Sequence, residues 1–88
     1  MYIVYILQSI NYKRHYIGHT NNLTDRISRH NNGKVFSTKP YRPWIIIYKE
    51  TKSTKSDAIK REMEIKRYKG GIQFREILKK YGEIAYPA

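Results

Sequence analysis

Six consecutive residues near the start of the chain, Tyr2-Ile3-Val4-Tyr5-Ile6-Leu7, are all β-branched, aromatic or aliphatic. A strand built from such a run has no side to give to water. It is expected to be a central strand covered on both faces. In a chain of 88 residues that demand is severe, because a domain this small buries only about 60% of the surface its unfolded chain exposes. Arg14 to Gly18 reads as a second strand, hairpin-paired with the first across the polar loop Ser9-Ile10-Asn11-Tyr12-Lys13. Trp44-Ile45-Ile46-Ile47-Tyr48 reads as a third.

Helical signals fill the intervals. Asn21 or Asn22 can cap a helix that begins near Leu23, with Asp25 in its first turn, and Asn31-Asn32-Gly33 suits its end. A basic loop from Lys34 to Pro43 follows. Ser53, Thr54 or Ser56 opens a second helix that runs to about Lys69, and Gly70-Gly71 breaks the chain. Phe74, Ile77, Leu78 and Tyr81 then form a core-facing stripe on a third helix. The expected order is β-β-α-β-α-α, a single α/β domain over residues 1–83 with a tail at 84–88. The chain has no internal repeat or low-complexity segment.

The formal net charge is +11 and the isoelectric point near 10.0. Such an excess points to a polyanionic partner. Nine tyrosines interleaved with Lys and Arg favour nucleic acid over a membrane surface. With no cysteine, disulfides and cysteine-based zinc sites are excluded. No run approaches the ~20 apolar residues of a membrane span, and no signal peptide is expected. A cytoplasmic location is the expectation.

Several residues break the packing pattern. On the second helix Ala58, Ile59, Met63 and Ile65 describe an apolar arc of roughly 160°, and Glu62 falls inside it. A carboxylate there should pair with a base, bind a metal or line a cleft. Lys66, one turn on, is either its salt-bridge partner or a second functional group, whereas Glu64 points away as a solvated charge. On the first helix Leu23 and Ile27 mark the buried stripe, flanked by Arg26 and His30. Arg26 carries a fork suited to phosphate. His30 can serve a phosphate oxygen, exchange a proton, or simply meet the helix end. Tyr5 and Tyr16 lie on adjacent strands, either as a cross-strand pair or as phenols near positive charge. Gly18 leaves room for a close approach. The three histidines, His15, His19 and His30, are not assigned to zinc, and no Walker loop, dinucleotide fingerprint or serine elbow is present.

Val4-Tyr5-Ile6, Tyr16-Ile17-Gly18, Arg26 ten residues beyond Tyr16, and Glu62 on a later helix resemble the GIY-YIG nuclease superfamily. Arg42-Pro43-Trp44 and Ala58-Ile59-Lys60-Arg61-Glu62 with Ile65-Lys66 look most like small stand-alone members related to the N-terminal domain of the C component of excinuclease ABC. The resemblance implies a three-stranded antiparallel sheet flanked by three helices, and a metal-dependent endonuclease acting on DNA in repair or turnover. It implies one divalent ion, Mg²⁺ or Mn²⁺, with Glu62 as its sole protein ligand. Tyr5 or Tyr16 would activate water, Arg26 would clamp the scissile phosphate and His30 would support it. His19, just after Gly18 where excinuclease-type relatives carry lysine, would help polarise a tyrosine. Nucleic-acid contacts are expected from His19, Lys34, Lys39, Arg42 and Lys66. The pattern departs in having Val4 at the first glycine of the family name. It also lacks room for a separate DNA-targeting domain, which points to a protein partner for specificity. The alternative is a nucleic-acid-binding adaptor that cuts little.

Overall fold

The computed structural model describes residues 1–69 and 71–85. Strands β1 (Tyr2–Ser9), β2 (His15–Thr20) and β3 (Trp44–Lys52) and helices α1 (Leu23–Asn31), α2 (Lys55–Tyr68) and α3 (Ile72–Ala85) follow in the expected order β-β-α-β-α-α. A short 3₁₀ turn at Lys39–Tyr41 interrupts the basic loop. Gly70 and residues 86–88 lie outside the described residues, as does the side chain of Tyr81 expected in the α3 stripe.

The sheet is antiparallel with order β2-β1-β3, so the unbroken apolar run is the middle strand. Its alternation divides the core. Val4 and Ile6 pack with Ile17, Ile47, Ala58, Ile65 and Phe74 on the side covered by α2 and α3. Tyr5 and Leu7 pack with Trp44, Tyr16, Leu23 and Ile27 on the side covered by α1. All four β1 residues are completely buried, as a two-sided strand requires.

β3 extends past the expected Tyr48 because its polar second half still finds partners: Lys49, Glu50, Thr51 and Lys52 pair with Tyr5, Val4, Ile3 and Tyr2. The register shifts between Ile6 and Leu7, and neighbouring Ile47 and Tyr48 both pack on the α2/α3 side. This irregularity brings Trp44 and Ile46, and beyond it Lys49, to the face that carries Tyr5.

The helix ends are capped by side chains. Asn22 Oδ1 accepts from the Asp25 amide at 3.0 Å, and Thr54 Oγ1 from the Asp57 amide at 3.1 Å. Gly33 has φ +74°, the left-handed conformation expected after α1. Replacing Asn22 or Thr54 by Ala is expected to cost about 1 kcal/mol each, with Thr54→Ser close to neutral. Urea denaturation midpoints check this, and an unchanged midpoint for both alanine variants would remove these caps from the account of stability.

The apolar arc expected on α2 is narrower than the helical wheel suggests. Ala58 and Ile65 are fully buried, but Ile59 and Met63 are exposed. The sheet reaches only part of the helix, so the outer edge of the arc faces solvent. Glu64 also differs from expectation: it pairs with Arg61, which bridges to Glu50 on β3 at 2.8 Å.

Candidate active site

Strand alternation sorts the site residues onto two faces. On β2, Tyr16, Gly18 and Thr20 stand opposite Leu7, Tyr5 and Ile3, and share their α1-covered face. His15, Ile17 and His19 turn the other way, towards α2 and α3.

On the α1 side four expected residues meet. The Tyr5 hydroxyl lies 3.1 Å from His30 Nε2, and Arg26 Nε donates to the same oxygen at 3.4 Å. The Tyr5 and Tyr16 rings are 6.2 Å apart, and the Tyr16 ring stands edge-on to His30 at 4.7 Å. Arg26 and His30 occupy successive turns of α1, so both can reach one phenol. Gly18 faces this phenol directly: a Cβ there would lie 2.7 Å from Tyr5 Oη.

The position of His30 corrects the expectation that it flanks the buried stripe. It is completely buried, with Nδ1 2.8 Å from Thr38 Oγ1. The loop that leaves α1 folds back over the ring and closes it from solvent, whereas Arg26 on the preceding turn stays partly exposed. Burial, and then the Arg26 charge, lower the His30 pKa to about 4. Burial raises that of Tyr5 to about 12 against the opposing Arg26 hydrogen bond. At neutral pH this places a neutral imidazole beside a protonated phenol. Hydrogen bonding to Tyr5 in turn raises the pKa of Arg26, which remains cationic.

On the other side, Glu62 is half-buried between two bases. Its Oε1 is 2.6 Å from His19 Nδ1 and its Oε2 accepts from Lys66 Nζ at 2.7 Å. Burial pulls its pKa up, but the Lys66 and His19 contacts outweigh that and hold it below the ordinary carboxylate value. The anion persists at neutral pH, and its charge reaches the Tyr5 phenol. His19 thus meets the carboxylate rather than a tyrosine, because alternation along β2 puts it on the opposite face from Tyr16. Lys66 proves to be the salt-bridge partner of Glu62.

Lys34, Lys39 and Arg42 gather elsewhere, around the turn at Gly33, with the Arg42 guanidinium packed over that glycine. Among the described residues none of the three hydrogen-bonds to the tyrosine cluster. Two residues at the site carried no sequence signal. Thr38 is buried at the back of His30, and Trp44 Nε1 donates to its carbonyl at 2.9 Å. Lys49, exposed on β3, pairs directly with Tyr5 of β1 and shares its face.

The family model of the GIY-YIG catalytic domain matches residues 1–73. The chain belongs to this family. Membership in the GIY-YIG family implies a nuclease-type function and a nucleic-acid substrate. The chain is 48% identical over 54 residues to a UPF0213 protein of Staphylococcus epidermidis, a match covering 60% of this chain and 66% of that one. A UPF0213 protein of Staphylococcus aureus is 43% identical over the same length and shares. The match therefore spans slightly less than two thirds of the relatives' own length. The solution NMR structure of a UPF0213 protein from Bacillus halodurans is similar, with TM-score 0.51 and 27% identity over 91% of this chain and 84% of that one. Among the described residues no group of three or more His, Cys, Asp or Glu gathers as a metal site, and no helix is long and apolar enough to cross a membrane.

Proposed function

We propose that this GIY-YIG domain is a metal-dependent endonuclease that hydrolyses phosphodiester bonds, with DNA as its first substrate and repair or turnover as its setting. The observation that carries the reading is the Tyr5 phenol held by both Arg26 and His30 and packed directly against the backbone of Gly18. Arg26 engages the Tyr5 and Tyr16 phenols, and the N–H groups of its fork that they leave over suit a phosphate oxygen, where the charge offsets developing negative charge. Tyr5 and Tyr16 supply two phenols to orient the attacking water. Lys49, on the same face, suits a flanking phosphate.

The chemistry of Glu62 fits a hard divalent ion such as Mg²⁺ or Mn²⁺: it is an ionised carboxylate whose Lys66 partner is more than half exposed and free to swing away. Such an ion supplies Lewis-acid stabilisation of the leaving oxygen. His19 would hold the carboxylate's other oxygen in place. A protein partner would supply substrate selectivity.

The engagement of both Glu62 oxygens by bases also supports the second reading, an adaptor that binds nucleic acid and cuts little. A panel of labelled duplex, flap, branched and single-stranded DNAs and RNAs with Mg²⁺, Mn²⁺ or EDTA separates the two. Products that require metal support the nuclease, whereas binding without products across the panel supports the adaptor. Binding is expected to be salt-sensitive in either case. Contact with about six phosphates lowers affinity on the order of 10³-fold between about 50 and about 200 mM salt. A salt-independent affinity would remove phosphate contact as its basis.

A further inference from the structure

The hydrogen bonds behind Tyr5 form a chain whose direction can be worked out from its proton inventory. Tyr5 Oη receives Arg26 Nε at 3.4 Å and lies 3.1 Å from His30 Nε2. His30 Nδ1 is 2.8 Å from Thr38 Oγ1, which is itself 3.3 Å from the Val35 carbonyl. The Thr38 hydroxyl has one proton for two neighbours; given to the Val35 oxygen, which can only accept, it leaves a lone pair for His30 Nδ1. His30 Nδ1 then carries the ring proton, and Nε2 is an acceptor. Tyr5 donates its phenol proton inward to Nε2, leaving its remaining lone pair beside Arg26. Every proton in this sequence has an acceptor. The reversed assignment would have His30 Nε2 and Arg26 Nε both donate to Tyr5, and without substrate the phenol proton would have no acceptor among the described residues. Such an orphan is costly.

We infer that Thr38 is a positioning residue: it holds His30 in the Nδ1–H tautomer, so that His30 receives the Tyr5 proton and Tyr5 turns an unshared electron pair towards the substrate side. The functional half of this inference rests on the nuclease reading, but the tautomer half does not. The structure around Thr38 suits the task. The side chain is buried, its carbonyl accepts from Trp44 Nε1, and Asn31 clamps both the amide and the carbonyl of Trp44 at 2.7 and 3.1 Å. The threonine is therefore fixed from three directions: α1, the start of β3 and its own turn. The neutral state of His30, favoured by burial and by Arg26, makes the choice of tautomer meaningful. In a histidine side chain the hydrogen bond made by one ring nitrogen sets which of the two carries the proton, and Thr38 is that partner for Nδ1.

The test compares full-length wild type with Thr38→Val and Thr38→Ser by long-range ¹H–¹⁵N NMR of the histidine rings. Wild type and Thr38→Ser are expected to show a pyrrole-type Nδ1 and a pyridine-type Nε2 at His30. Thr38→Val is expected to lose that pattern. Cleavage of the best substrate from the panel should fall about 10- to 100-fold in turnover for Thr38→Val, the scale seen when a group orienting a site histidine is removed. DNA affinity should be unchanged and Thr38→Ser should restore turnover. A wild-type His30 protonated on Nε2 overturns the inference, even if Thr38→Val fails to fold. So does a folded Thr38→Val that keeps the Nδ1–H pattern, or a Thr38→Ser that loses it. Absence of cleavage by wild type would instead count against the nuclease reading, with the NMR result still deciding the tautomer.

Discussion

Glu62→Ala is expected to remove metal-dependent cleavage while leaving nucleic-acid binding nearly intact. The carboxylate is ionised, half-buried and tied to His19 and Lys66, so its loss withdraws the proposed anionic metal ligand. The loss of turnover should be about 10²- to 10³-fold, matching the several kcal/mol a Lewis acid contributes. Glu62→Gln is the informative companion, because it keeps the shape and one hydrogen-bonding oxygen but loses the charge. It should cut as poorly as alanine if metal binding is the role. It should retain cleavage if the role is only to hold His19. Binding by fluorescence anisotropy and cleavage on the same DNA read the two effects separately. Undiminished cleavage by purified Glu62→Ala would sink the metal assignment.

Gly18→Ala is expected to damage both stability and activity, for a reason of space rather than dihedral angle. Gly33 is the glycine with positive φ among the described residues, whereas Gly18 lies within regular strand. Its added methyl would stand 2.7 Å from Tyr5 Oη, 2.9 Å from Tyr5 Cζ and 3.0 Å from Tyr16 Cε1. Tyr5 has no room to retreat: it is fully buried and its oxygen is engaged by His30 and Arg26. Overpacking of this kind costs about 1–3 kcal/mol, and a displaced hydroxyl would forfeit about 1 kcal/mol more for each broken hydrogen bond. Urea denaturation measures the first loss, and the cleavage assay reads the second. A Gly18→Ala variant as stable and active as wild type would show that the strand yields more easily than these distances require.

Much of this was legible in the sequence, because the strongest signals were local. Tyr2 to Leu7 had to be sandwiched, and it is the central strand. Arg26 and His30 were one turn apart on one helix, and both reach Tyr5. Glu62 was conspicuous as a charge within an apolar arc, and it is half-buried. Failures came where a neighbour decides the outcome. The helical wheel of α2 could not reveal that the sheet stops short of Ile59 and Met63. Nothing local distinguished Thr38 from Ser37 in the basic loop, since its importance comes from His30 eight residues away. The third strand was expected to end at Tyr48, one residue short of Lys49, and the register irregularity near Ile47 then sets Lys49 on the face of Tyr5. His19 was linked to the tyrosines by its place in the motif, although strand alternation sends it to the other side.

That alternation gives the six-residue strand β2 a double duty. It carries Tyr16 and Gly18 into the phenol cluster on one face and His19 into contact with Glu62 on the other. Among the described residues it is also an edge strand, bonded only to β1. The two halves of the site therefore belong to one cooperative opening unit. A fluctuation that detaches β2 dismantles the tyrosine pocket and frees the glutamate together, even while the central strand stays protected. Any ligand that steadies one face of β2 steadies the other as well. The two halves gain order as one, through the backbone they share.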